Sequence, residues 1–144
     1  MPLRTLLIHP SSVGVYGKMQ PPMIPPLGLA YIGAVLEKAG HAVSIIDVDS
    51  MGYDDEKVLR YAAEFRPQVV GFSCVTPTFN RAEKLAVRIK EANPDVITVF
   101  GGIHPTVAPR EVIQASPIDY VVKGEGEETV LELWDAILEQ RKLD

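Results

Sequence analysis

Short runs of β-branched and apolar residues alternate along this chain with longer stretches whose apolar residues recur at helical spacing. The runs are Arg4 to His9, Ala42 to Val48, Gln68 to Ser73, Val96 to Phe100 and Ile118 to Val122. Each is nearly continuous in apolar character, as strands buried on both faces are. Leu29, Ile32, Gly33 and Leu36 form one helical stripe, closed by Gly40 where glycine accepts the left-handed cap, with His41 in the turn. Val58, Ala62 and Phe65 make a second stripe, and Ala82, Leu85, Ala86 and Ile89 a third; Val130, Leu133, Trp134 and Ile137 make the last. Residues 105–115 fit a short helix with Pro109 in its first turn and Ser116-Pro117 at its end. Five βα units follow, and with them an α/β fold in which helices cover both faces of a parallel sheet.

The 144 residues, 47% hydrophobic, suit one domain that buries roughly 70% of its unfolded surface. A net charge of −5 without a basic run argues against nucleic acid as a partner. Apolar stretches such as Leu6-Leu7-Ile8 are far short of the ~20 residues of a membrane span. The expectation is a soluble, cytoplasmic domain. One cysteine, Cys74, excludes an internal disulfide and any cluster of three or four cysteines for zinc or iron-sulfur within these residues. The stretch from His9 to Pro26, with Ser11-Ser12, Gly14, Gly17 and four prolines between Pro21 and Pro26, reads as a long loop, stiffened by fixed φ angles.

Open parallel sheets bind ligands beyond the carboxyl ends of their strands. That directs attention to residues 9–26, 49–54, 73–80, 101–106 and 123–129. Gly101 and Gly102 let a ligand approach backbone, and Thr106 adds a hydroxyl; an ordinary strand-to-helix turn uses the same glycines. His104 has no second ligand at metal spacing, which favours a residue capping backbone groups. In Lys123-Gly124-Glu125-Gly126-Glu127-Glu128-Thr129 the acidic residues suit a helix N-terminus, while the alternation of Gly and Glu also places two carboxylates at a cleft mouth. Those carboxylates disfavour phosphate. In Ser73-Cys74-Val75-Thr76-Pro77-Thr78 the hydroxyls suit helix capping, and Cys74 reads as packing rather than as a nucleophile. Asp47-Val48-Asp49 fits a ribose contact, but no GxGxxG follows the first strand.

Taken in order, Leu7-Ile8-His9-Pro10, Pro26-Leu27-Gly28-Leu29-Ala30-Tyr31-Ile32, Gly40-His41, Val70-Gly71-Phe72-Ser73, Gly101-Gly102-Ile103-His104-Pro105-Thr106 and Asp119-Tyr120-Val121-Val122-Lys123-Gly124-Glu125-Gly126-Glu127 resemble the amino-terminal cobalamin-binding domain of cobalamin-dependent radical S-adenosylmethionine enzymes. The likeness covers nearly the whole chain. It implies a flavodoxin-like (Rossmann-like), doubly wound, five-stranded parallel sheet of order 2-1-3-4-5. Relatives that ligate cobalt by histidine carry Asp-x-His-x-x-Gly after the first strand, whereas Pro10-Ser11-Ser12-Val13-Gly14-Val15-Tyr16-Gly17 has no histidine. The resemblance therefore implies base-off cobalamin with no histidine on cobalt. Pro10, Ser11 and Ser12 belong to that loop, and Val13, Val15 and Tyr16 are candidates for the lower cobalt face. By the same resemblance Ser73, Val75 and Thr76 line the buried nucleotide tail, Val75 departing from the usual Ser-x-Leu. Gly101, Gly102, His104, Thr106, Gly124, Glu125, Gly126 and Glu127 edge its channel.

In that family a following barrel domain holds a [4Fe-4S] cluster through three cysteines and cleaves S-adenosylmethionine. Cys74 alone cannot do this, so residues 1–144 are expected to be a single cobalamin-binding domain, an excised piece or a stand-alone binder, non-catalytic by itself and with the barrel as its partner. Methyl transfer is the reaction expected of the parent enzyme; ring closure by an anaerobic cyclase is the alternative. Three rival readings share the topology. A flavin or nucleotide binder needs a helix start close behind Ser11-Ser12, where prolines intervene. A response-regulator receiver needs an aspartate where Ser73 ends the third strand, although Lys123 fits the fifth. A cofactor-free docking domain remains the third.

Overall fold

The computed structural model describes residues 1–15, 17, 19, 24–115 and 117–143. Its five-stranded sheet has the order β2-β1-β3-β4-β5, every pair parallel. The strands are β1 (Arg4–His9), β2 (Ala42–Asp47), β3 (Val69–Ser73), β4 (Ile97–Gly101) and β5 (Tyr120–Val121); the helices are α1 (Leu27–Lys38), α2 (Val48–Met51), α3 (Asp55–Phe65), α4 (Thr76–Ala92), α5 (Ile103–Val107), α6 (Pro109–Ile113) and α7 (Glu127–Leu138). Side chains alternate across a strand, so each strand feeds two cores. Leu6, Ile8, Val70, Phe72 and Phe100 pack with Val58 and Ala62 of α3, Ala82 to Ile89 of α4 and Val112 of α6. On the opposite face Val69, Val99 and Val122 pack with Leu36 of α1 and with Val130, Leu133 and Trp134 of α7. The Trp134 indole N–H donates to buried Thr5 Oγ1 at 2.8 Å, tying α7 to β1.

The topology and helical stripes agree with expectation; β3 starts one residue later than expected, β4 is shifted by one to Ile97–Gly101, β5 shortens from 118–122 to Tyr120–Val121, and two further boundaries differ in kind. β2 stops at Asp47 rather than Val48, and one helical turn follows it, closed by Gly52 at φ +63°. The helix expected over 105–115 is two helices, because Ala108 precedes Pro109 and takes φ −128°, ψ 49° instead of a helical conformation. Pro109 then opens α6, where its missing N–H costs nothing. No helix among the described residues is long and apolar enough to cross a membrane.

Candidate functional site

The face under α1 and α7 is not filled at its carboxyl end. Leu7 of β1 is paired with Gly71 of β3, at the point where strand order reverses and such sheets take their ligands. Leu7 packs directly on the Gly71 backbone: a Cβ on Gly71 would lie 2.8 Å from Leu7 Cδ2. A Cβ on Gly126 would lie 3.0 Å from Ile32 Cδ1 and 3.3 Å from Val122 Cγ1. Beside these close contacts lies a cavity of about 160 Å³. Leu7, Gly71 and Val99 form its floor, Leu29 and Ile32 of α1 one wall, Val130 and Trp134 of α7 the other. Ser73, Gly101, Gly102 and Gly124 to Glu127 rim it. An apolar cavity of about 150 Å³ accommodates a benzene-sized ring, so this cleft admits a flat aromatic group with polar atoms at its mouth.

The rim is held by its own hydrogen bonds. Gly102, at φ +101°, brings backbone so close that a Cβ would stand 2.7 Å from the Cys74 carbonyl oxygen. Cys74 N–H donates to the Gly101 carbonyl at 3.0 Å, and His104 N–H to the Cys74 carbonyl at 3.2 Å. The Thr106 hydroxyl donates to the Gly102 carbonyl at 2.7 Å and accepts from Gly124 N–H at 2.9 Å, bracing the loops after β4 and β5. Glu127 and Glu128 occupy the first turn of α7, as a helix dipole favours.

Of the residues expected along the nucleotide tail and its channel, Ser73, Gly101, Gly102, Gly124, Glu125, Gly126 and Glu127 line this cavity. Val75, Thr76, His104 and Thr106 stand outside its lining. Thr76 Oγ1 lies 3.0 Å from His104 Nδ1, and the His104 ring packs 4.6 Å from that of Phe79. His104 is thus held by a side chain rather than by capping backbone. Val75 N–H donates to Thr78 Oγ1 at 3.1 Å, closing the first turn of α4. Burial pushes the Cys74 thiol up to about 12, which suits packing and opposes nucleophilic chemistry. Among the described residues no group of three or more His, Cys, Asp or Glu is placed to hold a metal ion.

The loop after β1 leans toward β2. Pro10 is buried and Val13 exposed. Asp49 accepts from Ser11 Oγ at 2.5 Å, Ser12 N–H at 2.8 Å and Ser12 Oγ at 2.9 Å. Burial pushes the Asp49 carboxyl up, but these bonds from both serines, aided by His9, outweigh it and hold the group below its ordinary value. Arg81 Nη1 donates to the Ser11 carbonyl at 3.2 Å. Asp47 accepts from Ser50 Oγ at 2.5 Å and lies 3.4 Å from His9 Nδ1. With Asp47 and Asp49 engaged in this way, neither is poised for a ribose. Val15 is half-buried, its N–H donating to the Ser12 carbonyl at 3.0 Å; Tyr16 lies outside the described residues.

The cleft residues outside the strand-end loops include Gly71, the α1 residues Gly28, Leu29 and Ile32, and Trp134. A glycine inside a strand marks close approach of another group, and Gly71 carried that signal. The α1 residues and Trp134 read equally well as core.

Fold and cleft together define a flavodoxin-like domain built to take a small molecule at the carboxyl ends of its strands. Residues 21–134 match the family model described as B12 binding domain, and the chain belongs to that family. It is 36% identical, over 94% of its length, to an anaerobic magnesium-protoporphyrin IX monomethyl ester cyclase of Rubrivivax gelatinosus. It is also 36% identical, over 91% of its length, to a cytidylyl-2-hydroxyethylphosphonate methyltransferase of Streptomyces wedmorensis. A solved radical S-adenosylmethionine methyltransferase, TsrM of Kitasatospora setae, with cobalamin and a [4Fe-4S] cluster bound, superposes with a TM-score of 0.81 over 99% of this chain at 28% identity. The chain spans about a quarter of each of these proteins, 24%, 28% and 26% respectively.

Proposed function

We propose that this chain holds cobalamin base-off, with no histidine on cobalt, as the corrinoid module of a radical S-adenosylmethionine enzyme whose [4Fe-4S] cluster and S-adenosylmethionine sit in a partner barrel. The observation that carries the reading is the glycine-lined cleft between the sheet and α1/α7. Its apolar walls suit the dimethylbenzimidazole ring displaced from cobalt. Gly71, Gly101, Gly102 and Gly126 allow close approach of that tail, while Ser73, Glu125 and Glu127 offer polar atoms to its sugar and amide groups at the rim. Val13 and Val15, with Pro10, Ser11 and Ser12 shaping the loop, are the residues we assign to the lower face. Residues 10–17 contain no histidine, and neighbouring His9 is engaged by Asp47. When bound, the corrinoid supplies a methyl group held on cobalt.

Methyl transfer is the reaction we assign to the parent enzyme. Identity to the cyclase and to the methyltransferase is the same 36%, so ring closure is the alternative reaction.

The test is anaerobic titration with hydroxocobalamin and methylcobalamin, desalting, and visible absorption of the retained cofactor. A base-off spectrum that is unchanged in His9→Ala is expected. A base-on spectrum that persists in His9→Ala overturns the base-off reading, and a spectrum that shifts in His9→Ala overturns the absence of a protein histidine. No retained cofactor, here or in the full-length enzyme, overturns the reading itself and returns flavin, nucleotide or cofactor-free docking to the fore.

A further inference from the structure

The long loop after β1 begins on a single carboxylate. Three hydrogen bonds, from Ser11 Oγ, Ser12 N–H and Ser12 Oγ, converge on Asp49, and bonds to an ionised acceptor are about twice as strong as neutral ones. From the other side Arg81 Nη1 reaches the Ser11 carbonyl and hydroxyl at 3.2 and 3.3 Å. Val13 N–H closes back on Ser11 Oγ at 3.2 Å, and Gly14 turns the chain at φ +80°. Past this knot Val13 keeps 61% of its surface exposed. Both serines are spent on Asp49, so their hydroxyls serve the loop's shape. Ordering this stretch of loop costs backbone entropy, which the charge-assisted bonds offset, and the result is one apolar side chain held in a fixed place at the loop's tip.

We infer that Asp49 is a positioning residue for the corrinoid: it clamps Ser11 and Ser12 so that Val13 is presented as a fixed apolar floor beneath the ring, keeping water from the lower cobalt position. The inference rests on the base-off reading proposed above. Asp49 itself stays on the β2 side of the loop and touches the ring only through this geometry.

The test loads cob(II)alamin into the 144-residue chain and into Asp49→Ala, Asp49→Asn and the double variant Ser11→Ala/Ser12→Ala. Affinity is followed by titration and the cobalt environment by electron paramagnetic resonance. The double variant removes the same side-chain bonds from the loop side, so the question survives if Asp49→Ala does not fold. Asp49→Ala and the serine pair are expected to bind about tenfold more weakly, the equivalent of about 1.4 kcal/mol, and to show an oxygen ligand on cobalt that the parent chain lacks. Asp49→Asn, which keeps an acceptor, is expected to lie between. A merely structural role lowers affinity or melting temperature while leaving the cobalt spectrum unchanged, and that result overturns the inference alone. A parent chain that retains no corrinoid, or retains it base-on, overturns the underlying reading and the inference with it.

Discussion

At Gly102 the residue type is dictated by backbone geometry. Its φ of +101° and ψ of −168° lie in a region essentially closed to residues bearing a Cβ, and any Cβ would collide with the Cys74 backbone at 2.7 and 2.9 Å. Gly102→Ala is therefore expected to cost on the order of 3 kcal/mol, read as a lowered midpoint in urea unfolding. A loss within a few tenths of a kcal/mol would mean that the β4 loop rearranges freely. Gly71 is different in kind. The atom nearest its virtual Cβ is the far end of Leu7, which can turn aside, so its glycine matters to the space in the cleft more than to the backbone.

Among the elements, the junction of β1 with the turn after α1 carries a titration. His41 Nδ1 accepts from Leu3 N–H at 3.1 Å, which requires an unprotonated Nδ1. Burial lowers the His41 pKa below 6.5, Asp135 opposes this, and the N-terminus adds to it. A histidine whose pKa is depressed by folding binds fewer protons folded than unfolded, so its contribution is present above the ordinary value and lost as pH falls below about 6.5. The urea midpoint is expected to fall between pH 7.5 and pH 5.5, and His41→Asn, which keeps an acceptor without titrating in that range, is expected to flatten the fall. Equal slopes in both proteins would remove His41 from the account. At the opposite end of the sheet Lys90 pairs with Asp119 at 2.7 Å, and Asp119 in turn accepts from Thr98 N–H at 2.8 Å, pinning the entry to β5.

For the molecule as a whole, the strand order 2-1-3-4-5 puts the reversal of winding between β1 and β3, directly above the Leu7 and Gly71 pair. The cleft joins this point to α1 and α7, and Trp134, the chain's one tryptophan, stands in its wall. Occupancy should therefore register in two ways. Corrinoids absorb where indole emits, so hydroxocobalamin is expected to quench Trp134 saturably. By mass action it should also stabilise the fold by about 2.7 kcal/mol at one hundred times the dissociation constant. Quenching without a rise in melting temperature would mean absorption by free cofactor rather than binding.

Much of this was legible in the residues themselves. Strand runs and helical stripes report burial on two faces and on one, and burial is a local demand on residue type; hence the element order and the two cores were readable from pattern. Motifs such as Gly101-Gly102 and Gly124 to Glu127 were readable because glycine at a strand end answers a backbone requirement. What pattern could not supply was partnership. That Asp49 takes both serines depends on a contact across 38 residues, and that Trp134 meets Thr5 depends on one across 129. The hydroxyls of Ser11 and Ser12 suit a ligand as well as a carboxylate, and only the packing of β1 beside β2 decides which they meet. Apolar residues of α1 and α7 look alike whether they close a core or line a cleft; only their placement around Gly71, Leu7 and Val99 in the folded chain makes part of that face a cavity.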